Sequence, residues 1–132
     1  MSDDDEKHGS CLCGAVTFTL NGPLRSSVAC HCRGCRKTSG HYWSATEVAR
    51  KGLFITNETG LRWFDSSPQT RRGFCQFCGS SLFWDWHDKD TVSVGSGTLD
   101  GETGLSTLRH TCCAEKGDYY EIEEGPVKFG SY

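Results

Sequence analysis

Long hydrophobic runs are missing from this chain, and so is a strong excess of charge of either sign. No apolar stretch approaches the roughly 20 residues of a membrane-spanning helix, and the mean hydropathy is −0.51, so no membrane partner is expected. The formal net charge of −3 gives no global reason to expect nucleic acid. Proline is scarce, with three residues against sixteen glycines, a balance that suits short strands and tight turns better than long helices. The start, Met1-Ser2-Asp3-Asp4-Asp5-Glu6, lacks the basic-then-apolar pattern of a secretory signal, and the expected location is cytoplasmic. Residues 1–8 read as a flexible acidic tail. Residues 9–132 read as a single domain, with no repeat, linker or low-complexity block to divide them.

Cysteine, in contrast, is plentiful. There are nine, and in a reducing compartment that number argues for metal rather than disulfides. Seven fall into three clusters: Cys11/Cys13, Cys30/Cys32/Cys35 and Cys75/Cys78. In Cys30-His31-Cys32-Arg33-Gly34-Cys35 an extended backbone points Cys30 and Cys32 one way and His31 the other. Cys32 and Cys35 then have knuckle spacing, with Gly34 allowing a tight fold around an ion. The four outer thiols would make a closed Cys₄ zinc site that contributes folding free energy directly. The central three would make a site with an open position. A different partition, with Cys11, Cys13, Cys30 and Cys32 on one ion, satisfies the same chemistry.

Around these clusters the pattern is that of strands. Val16, Phe18 and Leu20 alternate against Thr17 and Thr19, and Leu82, Trp84 and Trp86 alternate against Phe83 and Asp85, each the mark of a strand. Leu53–Asn57 and Leu61–Asp65 flank Glu58-Thr59-Gly60 and read as a hairpin, so the acceptor-like Asn57-Glu58-Thr59 reads as a turn. Arg36 to Gly40 reads as one helical turn, Thr91 to Gly95 as a partner of the strand at Leu82. Thr107 to Cys113 and Tyr119 to Ile122 read as late strands. Cys112 and Cys113 read as buried packing residues, and His8 and His87 as solvated.

Three thiolates overcompensate the charge of one zinc ion, so bound water is acidified less than on a three-histidine zinc. Thiolate ligands match an incoming soft sulfur. The chemistry expected at Cys30, Cys32 and Cys35 is therefore capture of a substrate thiol as its thiolate, or polarisation of a carbonyl oxygen. Arg33, Arg36, Lys37, Arg71 and Arg72 flank the clusters and would draw in an anion. The competing reading is a non-enzymatic interaction module whose zincs only shape a surface.

The series Gly9-x-Cys11-x-Cys13-Gly14-x-Val16-x-Phe18, Cys30-His31-Cys32-x-x-Cys35-Arg36-Lys37, Phe74-Cys75-x-x-Cys78-Gly79-x-x-Leu82 and Gly97-Thr98-Leu99-Asp100 resembles the glutathione-dependent formaldehyde-activating enzyme family, which includes the centromere protein V domain. The resemblance covers about residues 9–122. It implies a mainly-β, tent-like zinc-binding fold of short antiparallel sheets with little helix. It implies a structural zinc on Cys11, Cys13, Cys75 and Cys78, and a catalytic zinc on Cys30, Cys32 and Cys35. The activity it implies is that of a carbon–sulfur lyase joining a small thiol such as glutathione to formaldehyde, giving S-hydroxymethylglutathione. The likeness weakens at Thr111-Cys112-Cys113 and Asp118-Tyr119-Tyr120.

Overall fold

Two sheets packed through one core account for most of the chain. The structure, a computed structural model, describes residues 6–132. A three-stranded sheet has the order β1 (Glu6–Ser10), β2 (Thr17–Asn21), β5 (Leu53–Asn57). An eight-stranded sheet contains β3 (Arg25–Cys30), β4 (Trp43–Ala49), β6 (Leu61–Asp65), β7 (Thr70–Cys75), β8 (Ser81–Trp86), β9 (Thr91–Gly95), β10 (Thr107–Thr111) and β11 (Val127–Lys128), in the order β11-β10-β3-β4-β9-β8-β7-β6. One α-helix, α1 (Arg33–Ser39), follows β3.

Alternation decides which face is which. Phe18 and Leu20 of β2 and Val16 just before it are buried, and they pack with Val48, Val92, Val94 and Phe83 of the large sheet. Phe18 meets Phe83 edge to face at 5.0 Å. The neighbours of these residues on the large sheet must then point the other way. That second face carries Val28, Cys30, Trp43, Ala45, Glu47, Ser93, Trp84 and Arg72, and they line a cavity.

The helix starts three residues earlier than the sequence suggests and ends at the expected glycine. Cys32 caps its start, its Sγ accepting the Cys35 N–H at 3.3 Å. Gly40 ends it at φ 87°, its N–H donating to the Arg36 carbonyl, a left-handed cap that glycine adopts without steric cost.

Three expectations are corrected. Glu6–His8 belong to β1, paired with β2, while residues 1–5 of the expected tail lie outside the described residues. Leu53–Asn57 and Leu61–Asp65 do not form a hairpin: the first joins β2 and the second β7. Gly60 explains the parting, since its N–H donates to Ala15 and its carbonyl accepts from Gln76, so the chain switches sheets beside the Cys11–Cys13 and Cys75–Cys78 turns. The tail differs as well. Strand β10 stops at Thr111 and pairs parallel to both β3 and β11, and Tyr119–Ile122 is not a strand. Asn57 forms the expected turn, its Oδ1 accepting from the Thr59 N–H at 3.0 Å. No helix among the described residues is long and apolar enough to cross a membrane.

Candidate metal centre

The outer cysteines converge. Cys11 and Cys13 sit in the turn before β2, held by the Cys11 N–H to Val16 carbonyl bond of 3.0 Å and by Gly14 at φ 85°. Cys75 ends β7, and Cys78 precedes Gly79 at φ 80°. The Leu12 N–H donates to Ser80 Oγ at 3.0 Å, tying one knuckle to the other. All four sulfurs lie within 4.8 Å of one another; Cys11 to Cys13 and Cys13 to Cys75 are each 3.7 Å apart. Zinc–sulfur bonds of about 2.3 Å put tetrahedral sulfurs about 3.8 Å apart, so this donor set fits zinc. Backbone N–H groups of Val16 and Phe77 point at Cys11 and Cys75 Sγ at 3.3 and 3.4 Å, and hydrogen bonds from Ser80 bring the Cys78 thiol down to about 5. Both effects favour thiolates, the form a metal needs.

The central cysteines converge separately. Cys30 closes β3, Cys32 caps α1 and Cys35 lies in the first turn of that helix, with the three sulfurs again within 4.8 Å. Hydrogen bonds with Cys30 and Cys35 hold the Cys32 thiol below its ordinary value, while those with Cys30 and Cys32 push Cys35 up. Sulfurs this close cannot all ionise without a cation among them. The Arg72 guanidinium donates to Cys35 Sγ at 3.7 Å and passes close over Gly34, where a Cβ would stand 3.0 Å from Arg72 Nη2. Cys112, buried and left-handed at φ 56°, packs against Cys32 and Cys35, but its sulfur is outside the convergent trio. Cys113 is only half buried.

Beside the trio lies a cavity of about 270 Å³ whose wall includes Cys30, Cys35, Trp43, Trp84, Arg109 and Tyr132. Of the five basic residues that flank the clusters in sequence, only Arg72 reaches a central thiol. Arg71 points to the other face and pairs with Asp85 at 2.9 Å, Arg33 and Lys37 are exposed, and Arg36 donates to the Glu115 carbonyl. Sequence reasoning missed Arg109 and the three indoles as one lining. The signal was present in the two-residue period of each strand, but the order of the strands was not.

Chain matching decides the family. The model of the glutathione-dependent formaldehyde-activating enzyme family matches residues 6–115, most of the chain. The chain belongs to that family. The similar solved structures include a Rhodobacter sphaeroides protein determined by crystallography as a structural-genomics target. It is 20% identical with a TM-score of 0.62 over 74% of this chain and 91% of the other, a likeness of fold. No curated protein matches the chain.

In this family member His31 faces away from the thiols, as its place between Cys30 and Cys32 dictates. The ring is fully buried among Tyr42, His110 and Tyr120. Its Nδ1 is 2.6 Å from Tyr120 Oη and its Nε2 2.9 Å from His110 Nδ1. His110 Nε2 lies 3.5 Å from Glu123 Oε1. In one tautomer chain Tyr120 O–H donates to His31 Nδ1 and His31 Nε2–H to His110 Nδ1, leaving the buried His110 Nε2 near Glu123 without a hydrogen-bond partner among the described residues. Burial, then His110, His41 and Lys116, holds the His31 imidazole down to about 4. It therefore stays neutral and braces the backbone between Cys30 and Cys32.

Proposed function

We propose that this protein is a zinc-dependent carbon–sulfur lyase-like enzyme acting on a small thiol and its aldehyde adduct, in the manner of S-hydroxymethylglutathione formation. The observation that carries the reading is the convergence of Cys30, Cys32 and Cys35 on one point at the wall of a cavity. Zinc held by these three residues would supply a Lewis-acidic centre that keeps a substrate sulfur as thiolate near neutral pH. In the joining direction the carbon–sulfur bond forms at the aldehyde carbon, and the proton released by the thiol ends on the carbonyl oxygen; cleavage reverses both.

The chain's own residues provide positioning. Arg72 supplies positive charge at Cys35, the helix cap orients Cys32 and Cys35, and the buried His31–His110 pair fixes the turn that joins Cys30 to Cys32. A second zinc on Cys11, Cys13, Cys75 and Cys78 is structural in this reading, because those sulfurs form a closed set. A cytoplasmic location accords with thiol chemistry in a reducing pool.

The test is metal analysis followed by zinc X-ray absorption, with and without glutathione. Two zincs per chain, and an added sulfur neighbour at one of them on thiol addition, are expected. Cys35→Ser should remove the thiol response while leaving the Cys₄ zinc in place. A coordination sphere unmoved by thiol would reduce the protein to a zinc-stabilised interaction module.

A further inference from the structure

The cavity beside Cys30 has a floor and walls that can be read from strand register. Arg25, Glu47, Ser93, Trp84 and Arg72 are successive cross-strand neighbours over β3, β4, β9, β8 and β7, so they form one row across the sheet. Arg109, Val28, Ala45 and Gly95 form the next row, and Thr111, Cys30 and Trp43 the third. Rows lie about 6.6 Å apart, two residues of strand. Beside the indoles of Trp43 and Trp84 the floor of the cavity is Val28, Ala45 and Ser93, all of them small and buried. Trp43 leans over Gly95, where a Cβ would meet its ring at 3.5 Å. Trp86 stands edge-on to Trp84 at 6.0 Å and lengthens the wall.

The exposed surface of this cavity is mainly apolar, and two of its four cations are committed. Arg25 is paired with Glu47 at 3.4 Å and donates to the Ala45 carbonyl at 3.0 Å. Arg72 is held by Cys35 and Thr38. Among the described residues, Arg109 has no carboxylate and no hydrogen-bond acceptor on its side chain, and Lys89 has only the Trp86 ring at 5.1 Å. A peptide thiol brings two amides and three charged ends, each needing a partner when buried. A flat ring needs only a flat slot, and one carboxylate needs only one free cation.

We propose that the substrate sulfur of this family member carries an aromatic ring and a carboxylate, the ring lying on the Val28–Ala45–Ser93 floor beside Trp43 and Trp84 and the carboxylate meeting Arg109. The inference rests on the thiol-site reading above and names the substrate class for it. Selectivity comes from ring stacking and apolar burial in the slot, and the single guanidinium sets the direction in which the ligand lies.

Binding of three thiols to the zinc-loaded protein, followed by calorimetry and indole fluorescence, tests it: β-mercaptopropanoate, its α-benzyl derivative and glutathione. The first two share the same thiol and carboxylate, so their difference isolates the ring. The benzyl compound should bind at least ten-fold more tightly than the parent, about 1.4 kcal/mol, and more tightly than glutathione. Trp84→Leu should cut that gain at least five-fold and leave the parent compound within two-fold. Arg109→Gln, which leaves the slot intact, should weaken both carboxylate ligands equally. Parent and benzyl compounds within two-fold of each other, or glutathione binding best, would overturn the aromatic assignment while the thiol site stands. Failure of all three thiols to bind would overturn the thiol site and this inference with it.

Discussion

Replacing Asp85 by asparagine tests the packing of the large sheet at its most constrained polar point. Asp85 is 1% exposed and its two oxygens accept from Arg50 Nη2 at 2.7 Å and Arg71 Nε at 2.9 Å. Arg71 in turn lies 3.8 Å over the Trp63 ring, which stacks on Phe83 of the core. Breaking a buried ion pair by removing one partner costs about 3–5 kcal/mol. Both arginines keep a third or more of their side chains in water and can rehydrate, so the lower end, about 3 kcal/mol, is expected. At about 3–5 °C per kcal/mol for a chain of this size, the melting temperature should fall by about 10 °C. Burial alone would raise the Asp85 carboxyl, but hydrogen bonds and charge from Arg50 and Arg71 outweigh it and hold the group below the ordinary carboxylate range. A depressed folded-state value means the stabilisation is complete above the unfolded value of about 3.9 and fades as pH falls through the folded one. The gap between wild type and Asp85→Asn should therefore be constant near neutrality and close in acid. Acid loss of zinc is common to both proteins and cancels in the difference. Denaturant melts at a series of pH values provide the assay. A neutral-pH gap under 1 kcal/mol, or a gap that persists undiminished in strong acid, would refute the reasoning.

Cys75→Ser should lower bound zinc from two ions to one and abolish cooperative melting, since a structural zinc contributes about 10–16 kcal/mol against a typical total of about 5–15 kcal/mol; metal analysis with a thermal melt decides, and full metal content would count against it. Gly60→Ala should loosen the same site, because a Cβ there would stand 2.8 Å from Cys75 Sγ and 2.9 Å from the Ala15 Cβ. Overpacking of this kind costs about 1–3 kcal/mol, and chelator competition should show weaker zinc retention with the thiol response at the Cys30 cluster preserved.

The cysteine spacing carried both donor sets, and the threonine alternation around Phe18 carried the face of β2, because each is a local property of a few residues. Pairing partners were not local. Leu53–Asn57 and Leu61–Asp65 look like a hairpin in every short-range respect, yet Gly60 is bonded to Ala15 and Gln76, contacts that exist only once the knuckles are assembled. The parallel register of β10 on β3 likewise joins residues about eighty positions apart, and without it neither Arg109 nor the His31–His110 contact could be placed. The direction of His31 followed from its two cysteine neighbours; its hydrogen-bond partners did not.

The two donor sets differ in how much chain must exist before each can hold a metal. Cys30, Cys32 and Cys35 are complete within a single turn, whereas Cys13 and Cys75 are 62 positions apart. On a ribosome releasing the N-terminal half first, the compact trio is ready to capture an ion well before the distant quartet can form. Closing the long loop carries an entropic cost that grows only slowly with its length, so the quartet, once its last sulfur emerges, locks the sheets around a centre already charged. Nascent chains halted before Cys75 should accordingly carry one zinc, and chains released past Cys78 should carry two.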